Sequence, residues 1–452
     1  MKAQIPFVTT GSYPIRAGNT VQLLIDGEPA FRRVCQAIET AQHRVWATIT
    51  FMWADFRMPD GRGTALEVLD RAAKRGVDVR LLFWRPDEET AHHRRNAFWG
   101  AKEHFALLEQ FNLGIRWDCA QAGFCQHQKT WLIDAGTDHP IAFLGGLNLN
   151  PNSVVAPGHH GQGQNHDLYI ELTGAAVADV QHNFVQRWNE ASERHFEHGY
   201  WGEGGKQNLE FPSRLPKKNG TALVQIQRTI HAGRYNNGHA PVAGQAFDIT
   251  AGEQTVFRQY CTAIQAAKQS IYLENQCLEI PEIIEAVLEA LKRGVEVAAL
   301  LPITPDLLPH AFLEARAGLG AYPNFTLVGM AGLGTDGSRK PVWVHSKLML
   351  IDDRWATIGS ANLHRWSMFG NAELNAVILS NETVKAFRVA LLEEHLGLDT
   401  SDLDGVTALQ VFKKIAHANH EKFLEGNQAW QGLVVALDVS SYGIKHPEGW
   451  ET

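Results

Sequence analysis

One pattern written twice constrains this chain more than any other feature: His127-x-Lys129-x4-Asp134, then His345-x-Lys347-x4-Asp352. Other segments repeat in the same order. Phe31-Arg32-Arg33-Val34-Cys35-Gln36-Ala37-Ile38 reads against Phe257-Arg258-Gln259-Tyr260-Cys261-Thr262-Ala263-Ile264, and Lys74-Arg75-Gly76-Val77 against Lys292-Arg293-Gly294-Val295. Ordered matches at a slightly drifting offset describe a duplicated unit with small loop insertions. The chain must build one fold twice.

Apolar patterning indicates what that fold is. In the first copy Val21–Ile25, Arg44–Phe51, Val79–Phe83, Thr130–Ile133, Ile141–Leu144 and Leu168–Leu172 read as strands, with amphipathic helices over Pro29–Thr40 and Thr64–Arg75. The second copy repeats strands at Leu223–Gln227, Ser270–Glu274, Val295–Leu301, Lys347–Ile351, Ala356–Ile358 and Leu374–Leu379. Short strands alternating with helices predict an α/β class, here two similar α/β/α sandwich lobes. The Gly-, Pro- and Lys-rich stretch Gly202–Gly220 is the expected boundary, giving lobes over 1–205 and 206–452, the second with a helical tail around Ala408–Leu424. The long loop His231–Gly252 is a candidate lid or rim.

In a strand, residues two apart share a face, so each His and Lys is expected to project together. An imidazole beside an ammonium suits a phosphoryl group: the lysine neutralises non-bridging oxygens while the histidine attacks phosphorus or moves a proton. Two such pairs brought together by pseudo-twofold symmetry would surround one phosphorus. Small-residue turns follow each motif, Gly145-Gly146-Leu147-Asn148-Leu149-Asn150 and Gly359-Ser360-Ala361-Asn362. They permit close backbone approach, and make Asn148, Ser360 and Asn362 candidate phosphate-binding donors, with Asn150 able to share the role of Asn148. A histidine that attacks phosphorus through one nitrogen needs an acceptor on the other. Asp167 and Glu373 are the candidates, with Asp167 expected to serve His127.

The paired HxKx4D motif resembles the hallmark of the phospholipase D superfamily, over roughly residues 20–400. Ile271-Tyr272-Leu273-Glu274-Asn275-Gln276 is similar to the IYIENQ segment of true phospholipases D, and His345–Ser367 to their HSKxxxxDD…IGSANxxxRS block. The first turn departs from the pattern, with Gly146 where a serine is usual. The resemblance implies one active site between the lobes and a ping-pong reaction. His127 would form a phosphatidyl-histidine, and His345 would protonate the leaving head group and then deprotonate the acceptor. Lys129, Lys347, Asn148 and Asn362 would stabilise the transition state, whereas Asp134 and Asp352 would be structural. The expected activity is phospholipase D cleavage of glycerophospholipids such as phosphatidylcholine, with transphosphatidylation to alcohols. A cardiolipin synthase-like transferase is the alternative, and a nuclease-type phosphodiesterase a more distant one.

Composition narrows the partners. The 452 residues carry 41 Lys plus Arg against 49 Asp plus Glu, a formal net charge of −8, which disfavours a nucleic-acid partner. No apolar run is long enough to span a bilayer and no cleavable signal is visible, so a monomer meeting phospholipid at a membrane or micelle surface is expected. Cytoplasm is the default location, with export by a signal-independent route the alternative. No cofactor and no metal are expected: His159, His160 and His166 cluster in sequence, but no further ligand is evident. His92-His93-Arg94-Arg95 reads as a solvated helix face, and Cys35 and Cys261 as matched packing positions. Phe51-Met52-Trp53, Phe83-Trp84 and Phe98-Trp99 read as core, or as the lining of an acyl-chain groove.

Overall fold

The computed structural model describes residues 5–86, 98–119, 123–192, 202, 205–236, 238–305 and 310–443. The segment His92–Arg95 lies outside them.

The repeated Lys-Arg-Gly-Val has a local cause. Gly76 and Gly294 take positive φ, +89° and +83°, just past the helices Ala65–Lys74 and Pro281–Lys292. The amide of Val77 returns to the carbonyl of Ala72 and that of Gly76 to Ala73; Val295 and Gly294 do the same to Ala290 and Leu291. This left-handed glycine termination stops each helix and turns the chain into the next strand. The first of these helices starts on a reciprocal Thr64–Glu67 capping box, the second on Pro281 in its first turn.

Both repeats give the same seven-strand order. The N-terminal sheet runs Arg16–Ile25, Leu168–Gly174, Ile141–Gly145, Thr130–Ile133, Arg44–Ile49, Asp78–Trp84, Gly114–Asp118. The C-terminal sheet runs Ala222–Ile230, Glu373–Leu379, Trp355–Gly359, Leu348–Ile351, Ser270–Glu274, Glu296–Leu300, Phe325–Leu333, with Val434–Ala436 added at its edge. In each, the first four strands are antiparallel to their neighbours and the last three are mutually parallel. The outermost parallel strands, Gly114–Asp118 and Phe325–Leu333, were not among the expected ones. The sheets join edge to edge where Arg16–Ile25 pairs antiparallel with Ala222–Ile230.

Helices Gly27–Thr40 and Ala65–Lys74 cover one face of the first sheet around Phe31, Val34, Leu69, Phe83 and Trp117. Thr255–Ala266 and Pro281–Lys292 cover the equivalent face of the second around Tyr260, Ile283, Val297 and Met349. The remaining faces share one core with Phe184 and Trp188 of helix Val177–Asn189 and with Leu391 and Phe412 of the C-terminal helices. The lobes thus meet through continuous apolar packing. Cys35 is buried as expected; Cys261, its counterpart, is only half-buried. Among the described residues no helix is long and apolar enough to cross a membrane.

Candidate active site

The HxK segments do not lie inside strands, as the two-residue spacing had suggested. Regular pairing begins only at Thr130 and Leu348. Upstream of that, each segment leaves its own sheet to hydrogen-bond with the opposite lobe. The amide of His127 donates to the carbonyl of Ala372 at 2.9 Å, and the amide of Ala372 to that of Cys125 at 2.8 Å. In the mirror arrangement the amide of His345 donates to the carbonyl of His166 at 2.8 Å, while Trp343–Val344 pairs with Asn165–His166. Cross-lobe backbone pairing therefore sets both histidines.

The carboxylates follow the same crossed logic. His127 Nδ1 lies 3.0 Å from Glu373 Oε2, and His345 Nδ1 lies 2.6 Å from Asp167 Oδ2. Asp167 does not serve His127; the strand that carries it delivers it across the interface to the other repeat's histidine. With Nδ1 held by an acceptor, Nε2 is the nitrogen left for chemistry. Both rings line a cavity of about 460 Å³ together with Asn148, Asn150, Asn165, Gln276, Asn362, His364 and Asn371.

Lys129 and Lys347 are buried, and each ammonium donates to the carbonyl of its own motif histidine. Burial pulls Lys129 down to about 7 and Lys347 to about 8. Burial, then the neighbouring lysine charges, hold His127 well below its ordinary value; the same causes bring His345 to about 4, against the raising effect of Asp167. Glu373 is raised by burial. Both shifts favour the neutral imidazoles in the protein alone, and the negative charge of a phosphodiester beside them favours the protonated forms.

Asn148 and Asn362 each present a buried side-chain oxygen without a hydrogen-bond partner. Ser360 is placed differently from the expectation. Its hydroxyl donates to Glu373 Oε2 at 2.6 Å and accepts from the amide of Leu374, so it secures the carboxylate rather than facing the cavity. Ser367, which sequence reasoning had not assigned, donates to Glu373 Oε1. On the other side Gly146 has a steric cause: a Cβ there would lie 2.2 Å from Asp167 Oδ1. Asp167 is one methylene shorter than Glu373, so its lobe's turn must approach more closely, and a serine would not fit.

Asp134 and Asp352 face away from this chemistry. Asp134 accepts from the amides of Gln42, His43 and Arg44, and Asp352 from those of Lys268, Gln269 and Ser270. Each pins the entry of its lobe's first parallel strand.

The aromatic clusters divide. Met52, Phe83 and Phe98 are core, whereas Phe51, Trp53 and Trp84 line the cavity with Phe124, Trp343 and the half-exposed Trp366. The loop His231–Gly252 is anchored: Arg234 donates to buried Asp118, and the Tyr235 side chain is buried. At its start His231 packs on Phe124, at the cavity wall.

The chain is similar to known proteins along both repeats. The family model described as "Cardiolipin synthase, PLD-like domain" matches residues 34–188 and 260–394, one stretch in each repeat. Cardiolipin synthase of Listeria monocytogenes is 24% identical over 381 residues, 84% of this chain and 69% of the relative. Cardiolipin synthase 1 of Staphylococcus epidermidis is 27% identical over 386 residues, 82% of this chain and 67% of the relative. The crystal structure of phosphatidylserine synthase from Haemophilus influenzae superposes with a TM-score of 0.55 at 13% identity, covering 91% of this chain and 96% of that one, a likeness of fold. Matched across both repeats, with both motif histidines opening into one cavity, this chain belongs to the phospholipase D superfamily, in the PLD-like domain family of cardiolipin synthase.

Proposed function

We propose that this enzyme is a phosphatidyltransferase of the cardiolipin synthase kind, moving a phosphatidyl group from one phosphatidylglycerol to the glycerol hydroxyl of another. The observation that carries the reading is the likeness of both repeats to cardiolipin synthases, with the two motif histidines lining one cavity. His127 Nε2 attacks phosphorus, forming a P–N bond as the P–O bond to glycerol breaks. Protonated His345 gives its Nε2 proton to the departing alkoxide. His345 then takes a proton from the acceptor hydroxyl, whose oxygen attacks phosphorus and breaks the P–N bond. Lys129, Lys347, Asn148 and Asn362 oppose the charge that builds on the non-bridging oxygens. Glu373 and Asp167 hold the two rings and stabilise each imidazolium in turn.

Water in place of the second lipid gives phosphatidic acid, the phospholipase D outcome the Ile271–Gln276 segment had favoured. That segment is mostly scaffold here. Glu274 is bonded to His166 and Tyr272, Asn275 accepts from the amide of Leu363, and Gln276 is its residue at the cavity. It therefore gives hydrolysis little support over transfer.

The test is product analysis on phosphatidylglycerol and phosphatidylcholine vesicles, with and without a primary alcohol. Cardiolipin plus glycerol from phosphatidylglycerol supports transfer. Phosphatidic acid plus free choline or glycerol, without cardiolipin, returns the reading to hydrolysis.

A further inference from the structure

Directly behind Asp167 the two lobes enclose a second cluster of ionisable groups that the phosphoryl chemistry does not use. Asp26 follows the strand Arg16–Ile25, His159 comes from the loop after Val155, His166 precedes Asp167, and Glu394 lies on the helix Asn381–Leu396 of the other lobe. The side chains of Asp26, His159 and His166 are fully buried and that of Glu394 is 5% exposed. The sequence analysis found no ligand beyond the histidines because Asp26 and Glu394 are remote in the chain; the lobe interface brings them in. His160, the other histidine of that run, is exposed.

The separations describe a small polyhedron. His159 Nε2 lies 3.0 Å from Asp26 Oδ2 and 3.5 Å from Glu394 Oε1; His166 Nδ1 lies 3.1 Å from Asp26 Oδ1 and 3.8 Å from Glu394 Oε2. One ligand atom from each of the four residues lies within 4.8 Å of the other three, where tetrahedral ligands at about 2.0–2.1 Å from a zinc ion stand about 3.4 Å apart. Asp26 Oδ2, His159 Nε2 and Glu394 Oε2 are fully buried, and the polar groups they face are imidazoles and carboxylates. Two carboxylates held this close in a dry interior are costly unless positive charge lies between them. Behind the cluster, His166 Nε2 meets Glu274 Oε2 at 3.1 Å, and Glu274 accepts from the Tyr272 hydroxyl at 2.8 Å. A ligating imidazole backed by a carboxylate on its other nitrogen is the usual surrounding of a protein-bound zinc.

We propose that Asp26, His159, His166 and Glu394 form a structural site for a divalent transition-metal ion, zinc foremost, that ties the lobes together behind the active site. Two carboxylates neutralise the ion, two neutral imidazoles complete the tetrahedron, and no position is left for substrate. The site bears on catalysis by position. The carbonyl of His166 receives the amides of His345 and Ser346, and Asp26 Oδ1 receives the amide of Asp167. Fixing His166 and Asp26 fixes the pair His345–Asp167.

The test is metal content and metal titration of the full-length protein. Chelator-stripped protein is titrated with Zn²⁺ against a chromophoric chelator, and with Co²⁺ while recording its visible d–d bands. The expected result is one Zn²⁺ per chain and the intense bands of tetrahedral Co²⁺, both retained in His127→Ala and both lost in His159→Ala. Glu274→Gln, which removes the carboxylate behind His166, weakens zinc by about 10- to 100-fold. Should the His159 variant not fold, X-ray absorption of the zinc-loaded wild type decides, with four N/O ligands including imidazole expected. Absence of stoichiometric uptake by wild type, undiminished zinc in folded His159→Ala, or a six-coordinate all-oxygen shell would overturn the proposal.

Discussion

Glu373 of the C-terminal repeat accepts from His127 of the N-terminal repeat at 3.0 Å, so the two lobes build one candidate site together rather than one each. Asp167 and His345 form the reciprocal pair. Replacing either carboxylate by its amide keeps the shape but removes the acceptor that holds the ring and stabilises its cation. Glu373→Gln and Asp167→Asn are each expected to lower kcat by about 10²- to 10⁴-fold. Thermal unfolding measured beside kcat separates this from loss of fold, which is expected to change little.

Burial sets Lys129 near 7 and Lys347 near 8, so both ammonium charges are lost as pH rises through that interval. The charges that oppose the phosphate oxygens disappear with them. A fall of kcat/KM above about pH 7–8 is expected for the wild type. In Lys129→Arg the guanidinium stays charged. Its overall activity drops, but the alkaline limb of its pH profile moves upward. An unmoved limb would assign the ionisation to another group.

Asp134 and Asp352 are each bonded to three consecutive backbone amides. Removing either carboxylate leaves those amides without their acceptor. Asp134→Ala is expected to cost about 2–4 kcal/mol of stability by denaturant titration. Activity per folded molecule changes far less than in the histidine variants.

Trp366 is 50% exposed at the cavity that holds the histidines, beside Phe124 and Trp343. An aromatic so placed gains by entering the lipid interface. Trp366→Ala is expected to weaken vesicle binding about fivefold, the equivalent of about 1 kcal/mol of partial apolar burial, with kcat nearly unchanged. Vesicle co-sedimentation run beside surface-dilution kinetics checks both halves.

The duplication, the α/β class and the site histidines were legible because they depend on local words: HxKx4D, Lys-Arg-Gly-Val and alternating apolar strands. What depends on docking was not. In a duplicated chain Asp167 is equally placed by sequence to serve either histidine, and only the cross-lobe pairing of Trp343–Val344 with Asn165–His166 selects His345. The in-strand placement of the histidines failed for the same reason, since their amides hydrogen-bond across the interface before their own strand begins. Ser360 looked like a phosphate donor because it sits in the small-residue turn after the motif, yet the buried carboxylate of Glu373, at the start of the neighbouring strand, claims its hydroxyl. Gly146 became intelligible only once Asp167 was seen against it.

The proposed reaction passes through a covalent phosphatidyl-histidine on His127, resolved with the help of His345. Intact-mass spectrometry of His345→Ala, quenched in acid-free conditions after mixing with a phosphatidyl ester of p-nitrophenol, tests it most directly, because that leaving group needs no proton. A burst of p-nitrophenolate and one phosphatidyl adduct per chain are expected, the adduct mapped to His127 and absent from His127→Ala. An adduct on another residue, or turnover in His127→Ala at the wild-type rate, would contradict it.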